Sequence, residues 1–233
     1  MIVESMTLQE VTAALKKDLD ANESRINKRM NDFCSLALKT ERNKFPIEKI
    51  YEFESKQKIS YIIIARASKR SSWNKPEMII AGYYVINKEF FGFIATQTVS
   101  PTIVFSKNSI DRKGLTLFTP HFLQRYKERY INDTSFSSKE AFIKFITENN
   151  DGMSREITRK HLTKFQEHEF EGYAQNVLLY QQGIAIIEKH IGGLIVNKTF
   201  LSYEMLKNEQ IETFEEDKKN HERLRELLKD RFI

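Results

Sequence analysis

Between Leu117 and Tyr130 the sequence reads LFTPHFLQRYKERY, and within it His121, Arg125 and Arg129 recur at four-residue intervals. On a helix, positions i, i+4 and i+8 lie almost above one another, so these three share one face and Phe122, Tyr126 and Tyr130 share the next. An imidazole exchanges a proton near neutral pH, and guanidinium groups grip phosphate oxygens bidentately. In a first turn, His121 would also stand among unpaired backbone N–H groups at the positive end of the helix dipole, which favours an anion. His121, Arg125 and Arg129 are therefore the candidate catalytic residues of a phosphodiester-directed site. The competing interpretation makes them the wet side of a helix whose rings are buried, with Glu128 offsetting part of the charge.

Cations also gather elsewhere. RASKRSSWNK (66 to 75), SKNSIDRKG (106 to 114) and SREITRKHLTK (154 to 164) are basic, whereas 209 to 217 is acidic. Lys69, Arg70, Arg112, Lys113, Arg155, Arg159 and Lys160 are candidate nucleic-acid contacts if these stretches converge. Trp73 lies among Lys69, Arg70 and Lys75, where its ring could stack on a base. More often a Trp beside a hairpin closes over a core edge, which is the favoured reading of Trp73. The whole chain carries 37 Lys+Arg against 32 Asp+Glu, a net +5, which permits an anionic partner without requiring one.

Several chemistries lack their residues. His161, His168 and Glu169 do not form HExxH and have no third ligand near them, so no metal is expected. There is no GxxxxGK[ST], no GxSxG and no Cys–His nucleophile pattern, so nucleotide hydrolysis and acyl transfer have no support and no cofactor is expected. Cys34 is the single cysteine; it cannot form an internal disulfide and fits a reducing cytoplasm as a small core residue. The start MIVESMTLQE lacks the basic and apolar regions of a secretory signal. No apolar run approaches the roughly 20 residues of a membrane span. A cytoplasmic protein without a membrane partner is the expectation.

The elements that must position these residues follow from periodicity. From Thr7 to about Lys44 there is no Gly or Pro, and Leu8, Leu15, Leu19, Ile26, Met30, Phe33 and Ala37 fall on one stripe of one or two helices, which Pro46 should end. The period then becomes that of strands: ISYIIIARA, EMIIAGYYVI, FFGFIATQT and TIVFS, punctuated at Asn74-Lys75-Pro76, Asn87-Lys88 and Ser100-Pro101, predict an antiparallel meander. After LTLF, Thr119 caps a helix that begins at Pro120, and Ser137 or Ser138 with Glu140 starts another. A basic stretch without clear pattern runs to about Glu171, followed by strands NVLLYQ, GIAIIEKH and LIVNKTFLS. Tyr203 to Ile233 is charged and helical with a thin apolar seam. The prediction is an α+β protein: a helical segment over 1–45, a β meander over 46–114, an α+β portion over 115–202 and a terminal helix over 203–233, as one domain or two small ones.

The order PHFLQRYKERY, SFSSKEAFIKFI and a strand ending in GLIVNKTFLS resembles small toxin domains of the RelE/BrnT type, in the barnase-like ribonuclease fold group. The resemblance covers Leu115 to Ser202; Met1 to Phe105 has no counterpart in it. It implies an RNA-directed protein, a metal-independent ribonuclease of toxin-like type. It implies that His121, Arg125 and Arg129 contact or cleave RNA, with Thr199 near the site on the last strand. The alternative expectation is a non-enzymatic protein whose long terminal helices mediate self-association or bind another protein.

Overall fold

Thr7 and Glu10 start the first helix by answering one another. The Glu10 N–H donates to the Thr7 hydroxyl and the Thr7 N–H to the Glu10 carboxylate, satisfying two amides that the first turn leaves unpaired. In the computed structural model this helix, α1, runs Leu8–Ala21 and α2 runs Glu23–Lys39, so the helical stretch is broken at Asn22. The buried Asn22 closes α1 by donating its side-chain amide to the Asp18 carbonyl, 2.8 Å away. Of the expected stripe, Leu15, Leu19, Ile26, Phe33 and Ala37 are buried, whereas Leu8 is exposed and Met30 only half-buried; Val11 takes the buried position in the first turns of α1. Pro46 does not end α2. The helix stops at Lys39, where the Thr40 hydroxyl turns back to the Leu36 carbonyl, and Arg42–Lys44 forms a separate 3-10 turn.

The structure describes residues 2–97, 113–149, 153–157, 175–190, 193–206 and the single positions Glu216, Lys219 and Arg223; of 96, 97, 113, 153–157 and 175 it describes the backbone alone. The chain divides into two units, Met1–Leu117 with Ile191–Ile195, and Phe118–His190 with Val196–Ile233. Both mix helices with strands, so the class is α+β. No helix among the described residues is long and apolar enough to cross a membrane.

In the first unit, β1 (Ile47–Glu54), β2 (Ser60–Ala67), β3 (Glu77–Ile86) and β4 (Glu89–Gln97) form an antiparallel meander, with β5 (Lys113–Phe118) next in order. Asn87 and Lys88, both at positive φ, make the two-residue turn that pairs Ile86 with Glu89. Gly82 is required by packing: a Cβ there would meet the Phe93 ring at 2.5 Å. Tyr61 stacks on Phe53, meets Phe93 edge-on and donates its hydroxyl to the buried Asp18 at 2.8 Å, which ties the sheet to α1. The strand β1 was not expected from sequence. Its charged residues mask the alternation in which Ile47, Tyr51 and Phe53 are half-buried and Glu48, Glu52 and Glu54 exposed.

In the second unit, α3 (Pro120–Tyr126) and α4 (Ser138–Glu148) begin where the caps place them, at Thr119 and at the Ser137/Glu140 capping box. Strands β6 (Met153–Ile157), β7 (Gln175–Leu179), β8 (Gly183–His190) and β9 (Leu194–Ser202) lie in the order β9-β8-β7-β6. An aromatic core of Phe118, Phe122, Tyr126, Phe142, Phe145 and Phe200 packs largely edge-to-face. Val177, Leu179, Ile184, Ile186 and Leu201 form a second cluster. The strand β6 lies in the basic stretch whose residues show no clear periodicity. Tyr203–Met205 is a 3-10 turn, so no terminal helix starts at Tyr203. Beyond Leu206 only Glu216, Lys219 and Arg223 are described, each helical. The expected strand TIVFS lies outside the described residues.

Candidate functional site

The cationic face centred on α3 is not assembled as its spacing suggests. The Thr119 hydroxyl accepts from Phe122 N–H at 3.1 Å and the Thr119 carbonyl from Leu123 N–H at 3.2 Å, so the first turn spends these donors internally. The α-helix ends after seven residues, and Lys127–Ile131 continues as a π turn. A π turn holds more residues than an α turn, so Arg129 rotates away from the line through His121 and Arg125. Its guanidinium donates instead to the Phe200 backbone carbonyl at 2.7 Å, next to the buried aromatic core. Arg125 pairs with Glu128 at 2.9 Å, and Gln124 donates to the same carboxyl group at 2.8 Å. These two hydrogen bonds hold Glu128 below the ordinary carboxylate range. His121 is exposed, while Phe122 and Tyr126 are fully buried. Wet side and core side are thus divided as the aromatic spacing requires, but two of the three cationic residues are engaged within the fold.

Thr199, expected near the site on the last strand, is 2% exposed on β9 with its hydroxyl enclosed. Lys113 and Arg155 stand on β5 and β6 at positions where the backbone alone is described. Arg112, Arg159 and Lys160 lie outside the described residues, as do His161, His168 and Glu169. Among the described residues, no group of three or more His, Cys, Asp and Glu could hold a metal ion.

A different arrangement gathers at one end of the first unit. The pairing of Ile47 with Ala67 puts the chain entering β1 beside the chain leaving β2. Arg42 and Phe45 from the first join Lys69, Arg70 and Trp73 from the second around a pocket of about 550 Å³. Leu38, Ser68 and Ser71 complete its lining, which contains three cations and no carboxylate. The turn after β2 is well fixed. Ser72 N–H bonds to the Lys69 carbonyl, Trp73 N–H to that of Arg70 and Lys75 N–H to that of Ser72, at 3.0 to 3.2 Å. One amino group of Arg70 donates to the Leu38 carbonyl in the last turn of α2, 3.2 Å away, which orients that guanidinium and satisfies a carbonyl the helix end leaves open. Trp73 remains 37% exposed, so it does not seal a core edge.

Three of the expected nucleic-acid contacts, Lys69, Arg70 and Trp73, are therefore brought together. Arg42 and Phe45 were missed. Only recognition of β1 would have revealed them, because the strand pairing closes the gap between residues 45 and 68. No family model, curated protein or solved structure matches this chain. The geometry of its own side chains is what bears on function.

Proposed function

We propose that this chain is an RNA-directed protein that holds single-stranded RNA at the Trp73 pocket. The observation that carries the proposal is the convergence of Arg42, Lys69 and Arg70 with the exposed ring of Trp73 in one concavity without a lining carboxylate. Single-strand binders combine cations that follow the phosphates with rings on which bases stack. The resemblance of residues 115–202 to RelE/BrnT-type toxins points to the same substrate class. Binding rather than cleavage is favoured by how the cations near α3 are used: Arg125 is paired with Glu128 and Arg129 donates to a backbone carbonyl. The alternative of self-association draws on Leu8, Leu36 and Leu38, which α1 and α2 expose.

Fluorescence anisotropy of a labelled single-stranded RNA tests the proposal. Affinity should fall log-linearly with salt, with a slope of about −2 if three cations each neutralise a phosphate at roughly 0.7 per contact. Absence of binding at low salt, together with a concentration-dependent dimer in light scattering, would favour self-association instead.

A further inference from the structure

Resting on that RNA-directed reading, we propose that the pocket takes a single unstacked nucleotide whatever its base, with the ring of the base on Trp73 and a flanking phosphate on Arg42, Lys69 and Arg70. The cavity of about 550 Å³ lies within the range of small-ligand pockets, roughly 300 to 1,000 Å³, and suits one nucleotide better than a run of them. Its lining also lacks the amide and carboxylate side chains that select adenine or cytosine. Bidentate selection of a base uses amide or carboxylate side chains, or an Arg aimed at guanine. The polar lining here consists of two serines and three cations, and the Arg70 guanidinium is already oriented by its bond to the Leu38 carbonyl. What remains for the base is the face of an aromatic ring, and every base has such a face.

Selectivity for strand state follows from the same geometry. In a duplex each base is covered above and below by its neighbours, so Trp73 has nothing to stack on unless the base is splayed out. Arg42 and Lys69 are exposed on flexible stems and can follow the phosphate, whereas Arg70 supplies a fixed charge. The pocket is a holder for an unpaired position of the strand.

Trp73 is the only tryptophan in the chain, so emission excited selectively beyond the absorption of its nine tyrosines reports on this pocket alone. Titration with oligo-A, oligo-U and oligo-C RNA should quench it in each case, with affinities within about tenfold of one another because stacking tolerates any base. A blunt duplex and an abasic ribose-phosphate oligomer should leave the emission unchanged. Trp73→Ala should weaken oligomer binding, followed by anisotropy, about 5- to 150-fold, the equivalent of one lost stack. Trp73→Phe should stay close to wild type. Arg42→Gln should keep the quench at saturation and reduce the salt slope by about 0.7.

The failures separate. If RNA binds by anisotropy while the Trp73 emission stays constant and Trp73→Ala binds like wild type, the nucleotide site is wrong and RNA binding elsewhere on the chain stands. Quenching by AMP without any binding of RNA overturns the RNA-directed reading and leaves a nucleotide pocket. A preference above about a hundredfold for one base overturns the claim that the base is not read.

Discussion

The segment around α3 and the turn after β2 both place cations beside aromatic rings, yet they use them in opposite ways. At α3 the rings of Phe122 and Tyr126 are fully buried, edge-on to Phe145 and Phe200, and the neighbouring Arg129 serves the Phe200 carbonyl. At the β2 turn the ring of Trp73 is open, and Arg42 and Lys69 line a cavity with it. A buried ring brings buried backbone with it, and backbone carbonyls at such a site need donors. A cation next to buried rings is therefore drawn into the fold. Beside the exposed ring Arg42 and Lys69 line the cavity, and Arg70 does so while one of its amino groups serves the Leu38 carbonyl at the end of α2. Spacing along the sequence is the same kind of signal in both places; the burial of the ring decides.

The largest effects should break or uphold that contrast. Phe122→Ala and Tyr126→Ala should each destabilise the protein by about 3 to 5 kcal/mol in urea denaturation, because a large buried ring is lost and the core cannot close around the space. Trp73→Ala should cost clearly less than either, because 37% of Trp73 stays exposed and less packing is lost. If Trp73→Ala destabilises as much as Phe122→Ala, the two regions are not different in kind. Arg129→Ala comes next, at about 1 to 3 kcal/mol, the cost of leaving a buried carbonyl without its donor. Its RNA affinity should match wild type. A loss of RNA affinity at unchanged stability would assign Arg129 to binding and erase the distinction.

The sequence made some of this legible. Caps and turns were readable because each rests on a local hydrogen bond: Thr119 before Pro120, Ser137 with Glu140, and the Asn87-Lys88 hairpin are satisfied within a few residues of themselves. The apolar strands β3, β8 and β9 also stand where their composition put them. What could not be read depends on pairing across distance. The strand β1 owes its place to β2, which pairs with all eight of its residues, and without it Arg42 and Phe45 have no visible connection to Trp73. The π turn at Lys127–Ile131 was hidden for a similar reason. Nothing in KERYI itself breaks an α-helix, and it is Arg129 reaching the carbonyl on β9 that accompanies the change of phase.

A pH dependence sharpens the contrast further, since the α3 region contains a carboxylate enlisted in the same way. Burial pushes Glu148 up, but hydrogen bonds from Lys144, Gln182 and Tyr126 and the Lys144 charge outweigh it and hold Glu148 below its ordinary value of 4.5. A carboxyl group lowered in the folded state contributes stability that is present above its unfolded pKa and is lost as pH falls through the folded one. The urea midpoint should therefore drop as pH is lowered below about 4.5, and Glu148→Gln should show a shallower acid-side drop than wild type. An equal slope in the two proteins would mean the Tyr126–Glu148–Gln182 cluster does not anchor α4. RNA affinity measured above that window should be the same for both.

The smallest expected effect belongs to the residue with the most suggestive chemistry. His121 is exposed on a seven-residue helix whose first-turn amides of Phe122 and Leu123 are already bonded, and the arginines that would share its phosphate are engaged elsewhere. His121→Ala should accordingly change stability by less than about 0.5 kcal/mol and leave RNA affinity where it was, because the proposed contacts lie at the Trp73 pocket. Labelled RNA incubated with wild type or with His121→Ala should remain equally intact on a denaturing gel. The opposite result has a definite form: cleavage by wild type, unaffected by a chelator, that falls about a hundredfold or more in His121→Ala, the usual contribution of a positioned proton-transfer group. That outcome would require Arg125 or Arg129 to release its partner when RNA arrives. The contrast between spent and available cations would then describe only the unliganded protein, and α3 would be the catalytic element of a metal-independent ribonuclease.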